Sequence, residues 1–76
     1  KNARRESTAA RLASLSPRER QVLDKVIEGK LNKVIADELN ISNKTVEAHR
    51  ARVMEKMQAR NLAELIRQIT LAGEDH

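Results

Sequence analysis

Apolar side chains recur along most of this chain at helical spacing, three or four residues apart, and no segment alternates as a strand would. Four such stripes follow one another between residues 15 and 76, separated by short polar stretches. Residues 1–14 have no apolar stripe beyond Leu12, which indicates a polar, partly helical linker. The pattern therefore predicts an all-α fold, with a linker over 1–14 and a compact four-helix bundle over 15–76.

The first two stripes have recognisable start and stop signals. Ser16 precedes a proline and is followed three residues later by Glu19, which is typical of an N-terminal capping box. Gly29 follows the first stripe and predicts a left-handed residue that ends the helix. Asn32 is then expected to cap a second, shorter helix over Lys33–Leu39.

The next interruption is only three residues long, Asn40 to Ser42. Ser42 is expected to cap a third helix over about 43–58, and Ile41 must point inward to close the corner. Two short helices joined by so tight a turn are typical of a helix-turn-helix. Opposite its apolar stripe, the third helix has small residues at Ala48 and Ala51, a flat strip that would let it enter a DNA major groove about 12 Å wide.

The fourth stripe predicts a helix that starts at the Asn61 cap and ends at Gly73. We expect its four apolar residues to serve the core, and these are Leu62, Leu65, Ile66 and Ile69. The faces left over would then be small and mostly polar. A partner copy would contact them weakly, through Ala63, Glu64, Arg67 and Thr70.

Positive charge is concentrated in two places. Residues 41–60 contain five basic and two acidic side chains, a net charge of +3, and residues 1–14 have the same net charge. Residues 61–76 have a net charge of −2. A polyanion would be attracted to the middle of the domain and repelled from its end.

Composition excludes several kinds of site. With no Cys and only two His, the chain offers no thiolate or histidine metal constellation, and with no aromatic residue it cannot stack on unpaired bases. Its serines lie in the linker or at helix caps, without a base and an orienting partner, and it has no glycine-rich phosphate loop. No apolar run approaches a membrane span. We therefore expect no enzyme activity, no cofactor and no membrane contact.

Three blocks at fixed separation resemble a known family: Leu15–Leu23 (LSPRERQVL), Gly29–Ala36 (GKLNKVIA) and Ile41–Arg50 (ISNKTVEAHR). They are similar to the LuxR-type helix-turn-helix, nearest to output domains of response regulators of the FixJ and NarL kind. Lys30 departs slightly from the family pattern, since an apolar residue more often follows the glycine directly. The resemblance covers residues 15–72 and implies a four-helix domain whose third helix enters the major groove and whose fourth helps it to dimerise.

The resemblance also implies site residues. Base reading would fall to Glu47, Ala48 and Ala51, with Arg50 beside them at the edge of the core, its stem packed and its head directed to DNA or Glu47. Glu47 can accept a hydrogen bond from cytosine N4, and the alanines can touch thymine methyl groups. Contacts to the DNA backbone or flanking it would come from Lys33, Lys44, Thr45, His49, Arg52 and Lys56. For His49, a half-buried structural role is the stronger interpretation.

The partners implied are double-stranded DNA, a second copy on DNA, an N-terminal receiver domain in an intact cytoplasmic protein, and RNA polymerase as a further candidate. The chain begins with Lys1, which suggests a piece of a longer protein. Two alternatives remain open. The block around Ser16 also resembles the promoter-binding region 4 of sigma factors, and a helical protein-interaction module with an incidental basic face would bind no DNA.

Overall fold

The computed structural model describes residues 7–74, and within that range every regular element is an α-helix. The five helices are α1 (Thr8–Ala13), α2 (Pro17–Ile27), α3 (Asn32–Leu39), α4 (Asn43–Met57) and α5 (Leu62–Glu74). None of them is long and apolar enough to cross a membrane. The predicted all-α fold and the four helices after residue 15 are confirmed. The basic residues at positions 1–6 lie outside the described range.

The predicted signals at both ends of α2 are confirmed. The Ser16 hydroxyl accepts a hydrogen bond from the Glu19 amide at 3.1 Å, and the Glu19 carboxylate accepts one from the Ser16 amide at 3.0 Å. At the other end Gly29 has a φ of +87°, and the Lys30 amide donates to the Lys25 carbonyl at 3.2 Å. This is a Schellman motif, and it turns the chain towards α3.

The predicted cap of α3 is wrong. The helix begins at Asn32 itself, Leu31 occupies the cap position, and no side chain there accepts a hydrogen bond. The Asn32 side chain instead accepts a hydrogen bond from Arg50 on α4. The turn that follows is as expected: Asn40 is left-handed, and Ile41 packs half-buried against the core.

Two groups of buried side chains hold the helices together. The corner core closes the angle between α2, α3 and α4, and consists of Val22, Val26, Ile35, Ala36 and Val46. The base core lies between α2, the second half of α4 and α5, and consists of Leu23, Val53, Met57 and Leu65. Because α4 contributes to both cores, its orientation is set along its whole length.

Helix α5 is rotated relative to the prediction. Leu65 is buried and Ile69 is half-buried against the base core, but Leu62 and Ile66 remain 39% and 36% exposed. The expectation that all four residues serve the core is therefore wrong. The helix also continues through Gly73, which does not end it.

Helix α1, within the segment expected to be a linker, packs on the bundle. Leu12 contacts the base core, and the Arg11 guanidinium donates to the Met57 carbonyl at 3.3 Å and to the Gln68 side chain at 3.2 Å. A cation at the C-terminal end of α4 also opposes the negative end of the helix dipole. Side chains of α1 thus bind the domain directly.

Candidate nucleic-acid interface

One face of α4 is buried and the opposite face is open to solvent. Val46, Val53 and Met57 are buried in the two cores. Six residues of α4 that share the outer face are exposed, namely Lys44, Glu47, Ala48, Ala51, Arg52 and Glu55. The division follows the helical period, since these six positions lie within about 140° of arc at 100° per residue.

The centre of this outer face is low. Ala48 and Ala51 lie side by side and project only a methyl group each, with longer side chains around them. Among residues 7–74, Glu47, Lys44 and Arg52 form no ion pair with one another or with any other side chain. The flat strip is therefore flanked by a hydrogen-bond acceptor and by two cations that are available to a ligand.

The first turn of α4 is capped by a side chain. The Ser42 hydroxyl accepts a hydrogen bond from the Thr45 amide at 3.0 Å, and the two hydroxyl oxygens are 2.9 Å apart. Thr45 is half-buried, whereas Lys44 is exposed in the same turn. The positive end of the helix dipole and the Lys44 ammonium group thus lie together, an arrangement that favours a phosphate.

Arg50 does not belong to the outer face. Arg50 is half-buried and lines a small cavity together with Val22 and Val53. Its guanidinium group does not reach Glu47, and donates instead to the Asn32 side-chain oxygen at 2.9 Å. In this structure Arg50 links the middle of α4 to the first turn of α3.

Lys56 is also engaged within the molecule. Its ammonium group contacts the Glu19 carboxylate at 2.8 Å and the Ser14 carbonyl at 3.2 Å. The Glu19 residue is only 4% exposed, whereas the Lys56 side chain remains 34% exposed. The hydrogen bond from Lys56, together with the Ser16 amide, lowers the pKa of Glu19 below its ordinary value.

Residues 41–60 have a net charge of +3, but this positive charge is not concentrated on the outer face of α4. Two positive and two negative side chains share the outer face of α4, which makes that face neutral overall. Three exposed cations of the helix-turn-helix have no carboxylate partner within residues 7–74: Lys33, Lys44 and Arg52. His49 is half-buried on α4, between the core and the outer face. No group of acidic, His or Cys residues within 7–74 could hold a metal ion.

The surface of α5 has an apolar component that the sequence did not predict. Ala63, Arg67 and Thr70 are exposed as expected, while Glu64 is half-buried and accepts a hydrogen bond from the Arg60 amide at 2.7 Å. Leu62 and Ile66 lie on the same exposed side. A helical wheel gives the width of an apolar stripe but not the direction of burial, so no sequence signal separates these two residues from Leu65 and Ile69.

The chain matches known proteins across most of its length. Residues 13–69 match the family described as bacterial regulatory proteins, luxR family. The chain is 58% identical over 65 residues to the transcriptional regulatory protein FixJ of Bradyrhizobium diazoefficiens, covering 86% of this chain and 32% of FixJ. It is also 58% identical over 53 residues to the tetrathionate response regulatory protein TtrR of Salmonella typhimurium, covering 70% of this chain and 26% of TtrR.

A solved structure shows the same fold. The crystal structure of full-length FixJ from B. japonicum superposes with a TM-score of 0.83 at 57% identity, covering 88% of this chain and 33% of that one. The chain thus spans between about a quarter and a third of the length of these relatives. It belongs to the luxR family of bacterial regulatory proteins, as a DNA-binding helix-turn-helix domain.

Proposed function

We propose that α4 is the recognition helix of this domain and enters the major groove of duplex DNA with its outer face. The observation that carries the proposal is the low strip of Ala48 and Ala51, beside an unpaired acceptor, Glu47. The strip lets the helix approach the base edges, where each alanine can contact a thymine methyl group. Glu47 would accept a hydrogen bond from cytosine N4 and so select a G·C pair.

Contacts to the DNA backbone come from the exposed cations Lys33, Lys44 and Arg52, with Thr45 at the capped start of α4 and His49 at the edge of the outer face. For Arg50 and Lys56, which the sequence placed among the DNA contacts, we propose a positioning role. Because their charged groups bind Asn32 and Glu19, they hold α4 against its neighbours rather than contact DNA. Three phosphates neutralised per monomer predict a slope of log K against log salt of about −2.7.

The domain pairs through α5 when it binds two adjacent half-sites. Ala63, Arg67 and Thr70 are exposed on this face, and the exposed Leu62 and Ile66 make it more apolar than its sequence suggested. One helix face is still a small interface, so we expect a monomer in dilute solution and cooperative pairing on DNA.

In its full-length form the protein is a cytoplasmic response regulator with an N-terminal receiver domain, and RNA polymerase is a partner of the DNA-bound dimer. Relatives named as response regulators support this assignment. A catalytic or cofactor-dependent role is not part of the proposal.

The luxR-family match disfavours the sigma-factor alternative. A protein-interaction module without DNA binding predicts a flat salt titration, so the same experiment tests it.

The test is a titration of duplex DNA with the chain at several salt concentrations. Lys44→Ala should flatten the slope by about one unit and weaken binding to all sequences alike. Arg18→Ala, which removes an exposed cation from α2, serves as the matched control and should leave the slope unchanged. Affinity that does not respond to salt would refute the proposed binding mode.

Glu47→Ala separates base reading from backbone contact. Preference at one base pair should relax by about 1–3 kcal/mol, with affinity for random DNA unchanged or higher. Equal losses of affinity for specific and for random DNA would show that Glu47 has a structural role instead of reading a base.

Arg67→Glu examines pairing. It should impair cooperative binding to two half-sites and spare binding to one. An equal loss on both DNAs would exclude α5 as the pairing surface.

A further inference from the structure

A groove lies on the surface beside the helix-turn-helix. It has a volume of about 580 Å³ and lies between the end of α2, the first turn of α3 and the start of α5. Its lining consists of Val26, Gly29, Lys30, Leu31, Asn32, Lys33, Arg50 and Leu62. Nothing lies within 4 Å of the position that a Cβ would take at Gly29, so the groove is open on that side.

Two apolar side chains of the groove, Leu31 and Leu62, are open to solvent. Leu31 is 74% exposed and occupies the cap position of α3, where Ser, Thr, Asp or Asn would stabilise the helix and Leu does not. Leu62 lines the same groove with over a third of its surface exposed. A large apolar side chain of a partner could be enclosed between these two residues.

The charged side chains that line the groove are all positive. Its lining contains three cations and no carboxylate. Lys30 is neutralised by Glu28 and Glu38, at 3.3 Å and 2.9 Å. Within residues 7–74, neither Lys33 nor Arg50 has a carboxylate partner. A ligand for this surface therefore combines a bulky apolar group with negative charge.

We propose that this groove docks a short acidic segment of another protein, with one or two leucine-like side chains between Leu31 and Leu62 and flanking carboxylates on Lys33 and Arg50. Charge complementarity favours an acidic ligand, and the apolar walls favour a peptide over nucleic acid, whose sugar-phosphate backbone would gain nothing from Leu31. Because Lys33 is also a proposed DNA contact and Leu62 lies on the proposed pairing face, such a segment would compete with DNA and with a second copy for these two residues. Leu31 has no part in the proposed DNA contacts, so the two functions can be tested separately.

The probe is an acetylated, amidated peptide with two leucines between two pairs of glutamates, titrated into the ¹⁵N-labelled chain. We expect amide shifts at Gly29, Leu31, Asn32 and Leu62, with a Kd between micromolar and millimolar. A peptide with serines for the leucines and one with lysines for the glutamates should both bind at least about tenfold more weakly. The absence of shifts up to millimolar peptide, or shifts confined to the outer face of α4, would overturn the proposal. Equal binding of the serine peptide would reduce the groove to a general anion site.

Leu31→Ser keeps the test independent of folding. Serine is a better cap than leucine, so this variant should fold at least as stably while losing the apolar wall. We expect a peptide Kd raised about tenfold and unchanged DNA affinity. Leu71→Ser, which removes another exposed leucine from α5, is the matched control and should leave peptide binding unchanged. Equal peptide affinity of Leu31→Ser and the original chain would exclude docking in the groove, whatever the DNA titration shows.

Discussion

The corner core and the base core hold the same α4 by different means. The corner core joins three consecutive helices through aliphatic side chains, and all its buried residues lie between positions 22 and 46. The base core draws on α1, α2, α4 and α5, and polar contacts of Arg11, Glu19 and Lys56 adjoin it. Packing between consecutive helices thus shapes the helix-turn-helix, while long-range apolar packing with polar contacts around it joins the rest of the domain to α4.

The largest effect should follow from a cavity in the corner core. Ile35 is completely buried in the corner core, so Ile35→Ala should lower the free energy of unfolding by about 3–4 kcal/mol. Urea unfolding followed by circular dichroism measures this, since the chain has no aromatic fluorophore. The neighbouring Val34→Ala, at a residue 40% exposed, is the control and should cost under about 1 kcal/mol. Similar losses for both would mean that the corner core does not dominate stability.

A charge substitution beside the base core should have the next largest effect. Lys56→Met keeps the aliphatic stem but leaves the Glu19 carboxylate shielded from water and without its cation, which should cost about 2–3 kcal/mol. The same urea titration at neutral pH measures the loss. The double variant Lys56→Met, Glu19→Gln should recover part of it. No recovery would indicate that Lys56 acts through its packing alone.

The same ion pair predicts a pH dependence. Because the pKa of Glu19 is lowered in the folded state, its contribution is complete above the unfolded-state pKa of about 4.3 and is lost as pH falls through the folded-state pKa. Glu19→Gln should therefore weaken the dependence of stability on pH below about 4.3. If Glu19→Gln loses stability at acid pH as steeply as the original chain, the ion pair is not the source of this pH dependence.

A smaller effect is expected where α1 meets the base core. The hydrogen bonds of Arg11 are 3.2–3.4 Å long, and its buried Nε has no acceptor within residues 7–74. Arg11→Ala should therefore cost only about 1 kcal/mol, mostly by releasing α1. Hydrogen exchange should become faster in α1 while protection in α3 is retained. Equal loss of protection in both helices would show that the two cores do not separate.

The smallest change in stability is expected at two helix ends within residues 7–74, where a residue other than glycine has a left-handed backbone. Gln58, at the base end of α4, has a φ of 56°, and Asn40, at the corner, has a φ of 60°. Asparagine tolerates this conformation better than glutamine. Gln58→Gly should therefore stabilise the domain by about 0.5–1 kcal/mol, and Asn40→Gly by less, as thermal unfolding would show. The reverse order would mean that the side-chain contact from Arg11 outweighs the backbone strain at Gln58.

What could be predicted from the sequence was local. The caps at Ser16, Ser42 and Asn61 and the left-handed Gly29 depend on residues three or four positions apart, so the pattern reveals them. The low face of α4 followed from the helical period in the same way.

The contacts that the sequence did not predict join residues that are far apart along the chain. Lys56 meets Glu19 across 37 positions and Arg11 meets Met57 across 46, and a charged residue bound there looks in sequence like one exposed to solvent. The rotation of α5 has a similar cause, because its packing against both α1 and the base core selects which half of the apolar stripe is buried.

The contacts of Arg50 and Lys56 limit how far α4 can rotate about its own axis. The two residues lie on opposite flanks of its buried face and bind Asn32 and Glu19, on different helices. With side-chain tips about 5–6 Å from the axis, a rotation of about 20° would displace each tip by about 2 Å. That displacement exceeds the tolerance of a hydrogen bond to a base edge. Arg50 and Lys56 therefore add to the two cores in fixing the angle at which α4 presents Glu47, the proposed base reader.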